Sequence, residues 1–383
     1  MMTSDELVAA GNNARSQDQY ADALANYAQA FVLDPNNLHA WNNYGNVLRE
    51  IGEPLRSIPF LQHACVLKPD FVTGHFNQAI AYLLAGDYQN GWQKYEWRWQ
   101  YEHLANSKPQ YNKPEWQGES LEDKTILVCA EQGFGDVIQF SRFLYDLHIR
   151  GAKILLLCMT GLVPLFQPSY AIKQCTNDPD SLDAFDYWIP IMSLPRVLGV
   201  TLENLRHDLS YISAQPEYTD TWNQKLGPKD SMRIGICWSG RRDNWVNKYK
   251  STPVENFVNL IISNPQHQWI NLQAEMYEQE QTLLSNTEVQ SFPGAIQSWA
   301  DTAGLVHHLD LVISVDTSIA HLAAAMGKPT WIPLTKFAVD WRWGLGIDRT
   351  PWYPSAVLFR QPDFGDWTGV FEAVKKYLGF FKT

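Results

Sequence analysis

Residues 11–35, GNNARSQDQYADALANYAQAFVLDP, have a counterpart 34 positions later in residues 45–69, GNVLREIGEPLRSIPFLQHACVLKP. Both stretches start with a glycine, carry an alanine five residues before their last position and end in a proline, and the same offset joins Gly52 to Gly86. A period of this length, with small residues at fixed positions, is typical of stacked helix–turn–helix pairs. The repeat predicts six helices, at residues 4–16, 20–33, 38–51, 54–67, 72–85 and 88–101. Because such arrays present a concave face to partners, we expect this segment to dock another molecule.

Composition narrows the class of protein. A chain of 383 residues is too long for one core and suits two or three units of about 100–200 residues. The net charge of −11 argues against general nucleic-acid binding, which needs clustered cations. The five cysteines form no CxxC pair, so we expect reduced thiols and a cytoplasmic protein. The N-terminus lacks the charge and apolar pattern of a signal peptide, and no apolar run predicts a transmembrane segment.

After residue 122 the pattern changes to short apolar strands that alternate with helices. Two such runs, separated by a break around Pro216 and Gly227, predict two doubly wound Rossmann-like halves that face a cleft. The predicted α/β architecture is therefore an N-terminal α-solenoid followed by these two halves. The predicted boundaries are 1–102 for about three repeats, 103–122 for a linker, 123–228 for the first half and 229–383 for the second.

The first candidate for chemistry is the sequence EQGFGD at residues 131–136, directly after the first predicted strand of the first half. Gly133 and Gly135 permit a tight turn and a close approach of substrate to backbone. Asp136 would then lie at the mouth of the cleft. The alternative is that Asp136 only caps the helix predicted over residues 135–150, because aspartate is favoured there.

The second candidate is SVDTSIAH at residues 314–321, where a predicted strand passes into a helix over 317–326. The hydroxyls of Thr317 and Ser318, with the N–H groups of the first helical turn, are the groups that bind an anion at the positive end of a helix. His321 lies in the next turn. The alternative is an ordinary capped helix with a packed histidine.

The third candidate is a run of four cations within ten residues, behind the strand that opens the second half. Trp238, Ser239 and Gly240 precede these cations, which are Arg241, Arg242, Lys248 and Lys250. In an acidic chain they favour an acidic ligand such as a diphosphate, held by charge-assisted hydrogen bonds. The alternative is a solvated basic loop.

Three further patterns could suggest a metal site or a sugar site, but each of them favours a structural role. Asp178-Pro179-Asp180 has the DxD form of some metal sites, but its proline and polar surroundings favour a loop. The adjacent His307 and His308 cannot share a helix face, which argues against metal ligation. The aromatic residues in 340–343 and 352–354 indicate buried core or a sheet edge more than sugar stacking. The sequence therefore predicts no metal site.

Taken together, four stretches resemble the bacterial proteins that join tetratricopeptide (TPR) repeats to a glycosyltransferase family 9 domain. They are AEQGFGDVIQFSRFL, IGICWSG with KSTPVENF, LVISVDTSIAHLAAAMGKPTW and DWRWGLGIDRTPWYPSAVLFRQPDFGDW. The resemblance covers essentially the whole chain and is carried by the order and spacing of the stretches. It implies the GT-B fold of the ADP-heptose:lipopolysaccharide heptosyltransferases.

The resemblance also implies roles for individual residues. Asp136 matches the base that deprotonates the acceptor hydroxyl, and Lys250 matches a cation near the donor phosphates. Ser239 and Gly240, with Arg241 as a further contributor, match the donor loop. The diphosphate segment is matched by Asp316, Thr317, Ser318 and His321, with Ser318 where the family usually has glycine. Gln273 and Glu275 match positions that contact the nucleoside.

The expected function is metal-independent and inverting glycosyl transfer from a nucleotide sugar to an acceptor hydroxyl, with no cofactor besides that co-substrate. The TPR repeats would dock a protein or peptide, or would mediate self-association. Two alternatives stay open at this point, a nucleotide-sugar 2-epimerase and a TPR adaptor with a degenerate transferase domain.

Overall fold

The computed structural model describes residues 2–101, 104, 105, 107–167, 169, 171–207, 210–242 and 246–381. The chain forms two compact units. The helical unit comprises Met1–Lys108 together with two later segments, Gly199–Leu205 and Lys336–Gly346, and the α/β unit comprises the remainder. The predicted boundary between repeats and linker, at residues 102 and 103, lies outside the described residues.

Three helix pairs build the helical unit, as the repeat predicts. The helices are α1 (Ser4–Ser16), α2 (Tyr20–Leu33), α3 (Leu38–Glu50), α4 (Pro54–Leu67), α5 (Val72–Leu84) and α6 (Tyr88–Tyr95), and a 3₁₀ turn, Glu96–Gln100, continues the last of them. The turn inside each pair holds one residue with a left-handed backbone: Asp18 (φ 61°), Gly52 (φ 89°) and Gly86 (φ 83°). These positions are 34 residues apart and explain the spaced glycines, because glycine adopts positive φ at little cost.

Close packing inside each pair explains the other repeated glycine. A Cβ atom on Gly45 would lie 2.8 Å from Cγ of Leu61 on the partner helix. The core between the first helices is formed by small and aromatic side chains, among them Ala23, Tyr27 and Ala30. The small residues therefore set the helix–helix distance, which is why they recur at fixed positions.

The two later segments supply part of the core of the helical unit. The ring of Phe337 stacks on Tyr20 at 4.5 Å between centroids, and Trp341 contacts Trp92 edge-on at 5.2 Å. The backbone N–H of Ala338 donates to the carbonyl of Glu50 at 2.8 Å. From the other segment, the carbonyl of Val200 accepts a hydrogen bond from Nε1 of Trp92 at 3.2 Å. The helical unit is therefore not built from the first hundred residues alone.

Among the residues that the structure describes, nine strands in two parallel sheets form the centre of the α/β unit. The first sheet has the order β3-β2-β1-β4 and the second the order β6-β5-β7-β8-β9, and every pairing in them is parallel. The strands are β1 (Thr125–Cys129), β2 (Lys153–Leu157), β3 (Ile172–Thr176), β4 (Tyr187–Pro190), β5 (Arg233–Cys237), β6 (Gln268–Asn271), β7 (Leu311–Ser314), β8 (Thr330–Leu334) and β9 (Ala356–Arg360). Their near-continuous burial is what a parallel sheet covered on both faces requires.

Eleven helices of the described residues cover these sheets. They are α7 (Phe134–Phe140), α8 (Arg142–His148), α9 (Val163–Phe166), α10 (Leu194–Leu198), α11 (Pro216–Leu226), α12 (Asn247–Lys250), α13 (Val254–Ile262), α14 (Glu278–Ser285), α15 (Trp299–His307), α16 (Ser318–Ala325) and α17 (Trp367–Leu378). Among these residues, no helix has both the length and the apolar character needed to cross a membrane.

The helix predicted over residues 135–150 is wrong in one respect, because it is interrupted at Ser141. The Ser141 hydroxyl donates to the carbonyl of Ile138 at 2.8 Å, and its ψ of −18° is typical of a 3₁₀ turn. A serine that bonds back to its own helix often bends it. The interruption divides the predicted helix into α7 and α8.

Strand order identifies the edge where a ligand would bind. In the second sheet the order reverses between β5 and β7, so that the loops after these two strands leave in opposite directions along the sheet. Crevices at such switch points, outside the carboxyl ends of the strands, are where open α/β sheets bind ligands. The loop after β5 begins at Trp238 and the loop after β7 at Val315, and both carry predicted site residues.

Candidate functional site

Asp136 caps the helix that carries it. Helix α7 begins at Phe134, and Oδ2 of Asp136 accepts the N–H of Gly133 at 2.9 Å. The side chain is half-buried. The capping role considered from the sequence is therefore present, and it uses one carboxylate oxygen without excluding a second role for the group.

The first turns of α7 and α16 lie against each other, and Gly135 makes this possible. A Cβ atom on Gly135 would lie 2.9 Å from Cδ2 of His321 and 3.4 Å from Oγ of Ser318. Position 135 requires glycine because there is no room for a side chain. The backbone conformation there is not one that only glycine adopts. The contact joins a turn of the first half, which contains Asp136, to the predicted diphosphate segment of the second half.

Asp316 links two of the predicted diphosphate residues. Its Oδ2 lies 2.5 Å from Nζ of Lys250, and its Oδ1 lies 3.9 Å from Nε2 of His321. The side chain of Asp316 is almost fully buried, whereas that of Lys250 is partly exposed. A carboxylate does not attract a phosphate, so Asp316 holds the ammonium of Lys250 beside His321 and would not itself contact an anionic ligand.

Thr317 turns its hydroxyl away from the helix that it precedes. Its Oγ1 lies 2.8 Å from Oγ of Ser314, inside the second half, and among the described residues no side chain caps the first turn of α16. A helix of eight residues that begins without a side-chain cap leaves its first N–H groups to other acceptors. This is the arrangement that an anion site at a helix N-terminus requires.

The loop after β5 is held by side chains that the sequence analysis did not single out. Oδ1 of Asn247 accepts the N–H of Gly240 at 2.9 Å, and Nδ2 of the same residue donates to Oγ of Ser239 at 3.2 Å. Ser251 donates to Oγ of Ser239 at 3.0 Å. Asn247 lies between Arg242 and Lys250 in the basic run, but a single asparagine there carries no distinctive sequence pattern.

Gln273, which follows the neighbouring strand β6, holds the same loop. Its Oε1 accepts the N–H of Ser239 at 3.0 Å and that of Trp238 at 3.2 Å. The Sγ of Cys237 donates to this oxygen at 3.3 Å, and burial raises the pKa of that thiol, so Cys237 serves as a neutral donor. Gln273 thus shapes the loop, and a contact between it and a nucleoside stays a prediction.

A charged and aromatic cluster surrounds Glu275, the other predicted nucleoside residue. The guanidinium of Arg242 lies 3.7 Å from the centre of the Tyr277 ring, and its Nη2 donates to the Glu275 carbonyl at 3.2 Å. The same nitrogen lies 2.5 Å from Oε2 of Glu280. Arg242 is therefore engaged in structure. The neighbouring Arg241 has an exposed side chain.

The α/β unit also has an aromatic contact and a pocket. The Phe134 ring, beside Asp136 in α7, lies 5.4 Å from the ring of Trp299 at the start of α15. A pocket of about 620 Å³ lies along α8 and is lined by Arg142, Tyr145, Arg206 and Tyr211 among others. Its described lining includes none of the predicted site residues.

The patterns that the sequence analysis set aside have structural roles. Oδ1 of Asp178 accepts the N–H of Asp180 at 3.0 Å, so the DxD string forms a capped turn. Trp352 and Tyr353 are fully buried, as predicted for core aromatics. One of them nevertheless reaches the site, because the Tyr353 hydroxyl lies 2.8 Å from Nδ1 of His321.

Comparison with known proteins supports the resemblance. The family model of glycosyltransferase family 9 (heptosyltransferase) matches residues 211–332. This range includes the loops after β5 and β7, with Lys250 and His321, and does not include Asp136. Protein FlbA of Caulobacter vibrioides is 25% identical over 432 aligned positions, which cover 95% of this chain and 71% of FlbA.

Two solved structures share the fold of the α/β unit. The glycosyl transferase family 9 from Veillonella parvula covers 70% of this chain and 92% of its own, with 14% identity and a TM-score of 0.51. The ADP-heptose lps heptosyltransferase II of E. coli covers 67% of this chain and 99% of its own, with 12% identity and the same TM-score. The predicted GT-B architecture is thereby confirmed. Residues 211–332 match the model of glycosyltransferase family 9, and this chain is a glycosyltransferase with N-terminal helix pairs of the TPR type.

Proposed function

We propose that this protein transfers a sugar from a nucleoside diphosphate donor to an acceptor hydroxyl, with inversion at the anomeric carbon and without a metal ion. The observation that carries the proposal is the contact of Gly135 with Ser318 and His321. It brings the turn of Asp136 next to the turn that begins α16. A base for the acceptor and a binding site for the leaving group would thus lie on opposite sides of one reacting bond.

The leaving diphosphate would be held by fixed positive groups. Lys250 offers an ammonium, and the first turn of α16 offers N–H groups at the positive end of the helix dipole. Both act where negative charge develops as the glycosidic bond breaks, which is where preorganised groups lower the barrier most. These groups would take the role that a metal ion has in other transferases.

Asp136 would take the proton from the acceptor hydroxyl. One of its oxygens accepts the Gly133 N–H, and this bond fixes the carboxylate at the first turn of α7. A positioned base contributes typically 10²–10⁴ in rate. The cap and the base are compatible, because a carboxylate has four lone-pair positions and the cap uses one.

We further propose that the TPR-type unit docks a protein or peptide, which is the acceptor or a partner. Side-chain amides connect the first helices of its pairs, with Asn43 donating to Asn12 at 3.0 Å and Asn77 donating to Asn42 at 3.0 Å. An amide offers both a donor and an acceptor and so matches the backbone of an extended peptide. The repeat of these amides from one helix pair to the next supports a peptide-like partner.

The test begins with ligand-induced stabilisation. The full chain is melted with UDP-, GDP-, ADP-, CMP- and dTDP-sugars, and a donor should raise the unfolding free energy by about 2.7 kcal/mol at a hundredfold excess over Kd. Failure of every nucleotide sugar to raise the melting temperature would count against the proposal and favour a degenerate transferase domain. Conversion of the free nucleotide sugar into its epimer, with no acceptor, would favour an epimerase.

Replacement of Asp136 by asparagine tests the base. The amide of Asp136→Asn still accepts the Gly133 N–H, so the fold and the donor affinity should stay unchanged. Release of nucleoside diphosphate from the stabilising donor should fall by about 10²–10⁴. Asp123→Asn is the matched control, because Asp123 is exposed and asparagine tolerates its positive φ of 57°. Unchanged turnover in Asp136→Asn would remove this residue from the mechanism.

A further inference from the structure

We propose that Tyr353 is a positioning residue that fixes the tautomer of His321, so that the Nε2–H of the imidazole is directed to the leaving diphosphate. This proposal takes the identity of the ligand, a nucleoside diphosphate, from the proposed function. The tautomer of His321 is argued from contacts within the protein and is independent of that function. Tyr353 lies 32 positions after His321 and belongs to an aromatic stretch for which the sequence pattern indicates buried core or a sheet edge.

The geometry between the two side chains is that of a buried hydrogen bond. The Tyr353 hydroxyl lies 2.8 Å from Nδ1 of His321, and their exposed fractions are 1% and 6%. A neutral imidazole has one donor nitrogen and one acceptor nitrogen, and the bond made by one of them sets the role of the other. A tyrosine that donates to Nδ1 therefore leaves the proton on Nε2.

The charged neighbour of His321 is compatible with this direction of the bond. Oδ1 of Asp316 lies 3.9 Å from Nε2, which is too far for a hydrogen bond. A carboxylate repels a bare lone pair, so Asp316 does not oppose hydrogen on Nε2, and the 2.8 Å bond from Tyr353 is the contact that holds the tautomer. The ammonium of Lys250 pairs with the other oxygen of Asp316 and so belongs to the same group of charges.

Arg142, which belongs to the first half of the α/β unit, holds Tyr353 in place. The guanidinium of Arg142 in α8 lies 5.1 Å from the centre of the Tyr353 ring, and its Nη2 donates to the carbonyl of Trp352 at 2.6 Å. Arg142 is also buried, and its guanidinium lies 4.8 Å from the centre of the Tyr211 ring. The segment that orients His321 is thus fixed by a residue of the half that carries Asp136.

These contacts form one path from Arg142 through Tyr353 and His321 to Asp316 and Lys250. His321 belongs to α16, whose first turn is where the diphosphate is proposed to bind, and its Nε2 lies 3.9 Å from Asp316, which precedes that turn. The Nε2–H would donate to a phosphate oxygen most strongly as charge develops on the leaving group. Loss of the tyrosine hydroxyl should therefore reduce kcat more than donor affinity.

The first experiment determines the tautomer of the His321 imidazole in the absence of a nucleotide sugar. The protein is labelled with ¹⁵N-histidine, and the signals of His321 are assigned by comparison with His321→Gln. We expect an unprotonated Nδ1 and a protonated Nε2 in the natural sequence. In Tyr353→Phe the two nitrogen shifts should converge as the tautomers exchange. A proton on Nδ1 in the natural sequence, or an unchanged single tautomer in Tyr353→Phe, would overturn the proposal.

The second experiment is a double-mutant cycle between Tyr353→Phe and His321→Ala, measured as release of nucleoside diphosphate. Tyr353→Phe alone should lower kcat by roughly two- to tenfold, the effect of one neutral hydrogen bond, with a smaller change in donor Kd. In the His321→Ala background it should cause no further loss, because the tyrosine acts through the histidine. Equal losses in both backgrounds would show a merely structural role and refute the proposal.

The control is Tyr377→Phe, which removes a hydroxyl from an exposed tyrosine of α17 and should leave kcat unchanged. Failure of this proposal and failure of the proposed function give different results. If no nucleotide sugar is turned over, the proposed function fails, and the nitrogen shifts still decide whether Tyr353 sets the tautomer. If turnover is normal and the shifts do not respond to Tyr353→Phe, only the positioning role fails.

Discussion

At the scale of single residues, the candidate catalytic and binding side chains also stabilise the structure. Asp136 caps α7, and Lys250 pairs with the buried carboxylate of Asp316. Such bonds hold a side chain in one orientation and reduce the entropy that a ligand must remove on binding. A structural role and a catalytic role therefore support each other here, and variants have to separate them.

Replacement of Lys250 by alanine should weaken nucleotide binding. The variant loses an ammonium and leaves Asp316 with one partner fewer, so negative charge faces the incoming diphosphate. We expect a loss of about 1–3 kcal/mol in the binding free energy of the nucleoside diphosphate, measured by calorimetric titration. Lys375→Ala on α17, bonded to Ser263, serves as the control for loss of one positive charge. Equal affinities in the two variants would contradict the assignment of Lys250 to the phosphates.

The sequence predicts residues of the site when their neighbours in the chain form a pattern. The glycines around Asp136, the hydroxyls after β7 and the cations after β5 are of this kind. Asn247 and Tyr353 are not, because an isolated asparagine and a core aromatic become informative only through contacts made on folding. Tyr353 reaches His321 from 32 positions away, and no local period encodes that contact.

At the scale of elements, the site depends on two helices whose first turns pack against each other. Helices α7 and α16 approach at Gly135, where any side chain would overlap His321. His321 cannot move aside freely, because it is bonded to the buried hydroxyl of Tyr353. The absence of a Cβ atom at position 135 therefore sets how closely the two turns can approach.

Gly135→Ala should separate these turns. The new Cβ would lie 2.9 Å from Cδ2 of His321, closer than packed carbon atoms approach, so the helices or the imidazole must shift. A shift of about 1 Å at a catalytic site can cost about a hundredfold in rate, and we expect a loss of that order in turnover. Gly161→Ala is the matched control, since its Cβ would meet its nearest neighbours at an ordinary 3.6–3.8 Å. Full activity in Gly135→Ala would show that the close approach is not needed.

Local periodicity explains which elements are predictable from the sequence. The 34-residue repeat predicts helices α1 to α5 to within one residue, because each pair repeats the same short-range packing. The sixth helix is predicted to end at residue 101 but ends at Tyr95, where the 3₁₀ turn Glu96–Gln100 takes over. The alternation of strand and helix likewise predicts β1 to β8. The division of α7 from α8 is not predictable in this way, since it depends on one hydroxyl that bonds back to Ile138. Strand β9 and helix α17 follow an irregular aromatic stretch that masks their pattern.

At the scale of the whole molecule, the two compact units are not continuous in sequence. The segments Gly199–Leu205 and Lys336–Gly346 leave the α/β part of the chain and complete the helical unit. Phe337, Val339, Trp341 and Trp343 are all buried in the structure. Ala338 has a positive φ of 49°, unusual for a residue with a side chain, while its N–H bonds to Glu50. A segment held in such a conformation is ordered by its surroundings.

Removal of residues 1–108 should therefore destabilise what remains. A chain of residues 109–383 keeps both segments and lacks the helices that cover them, so Phe337 and Trp341 would be exposed to water. We expect a lower melting temperature and aggregation, measured by thermal unfolding with light scattering. Trp341→Ala in the full chain tests the same contact without truncation and should cost about 3–5 kcal/mol in the free energy of unfolding. A truncated chain that stays monomeric and melts at the temperature of the full chain would show that the helical unit is an independent attachment. Loss of stability in both proteins would show that this glycosyltransferase needs its helix pairs to fold.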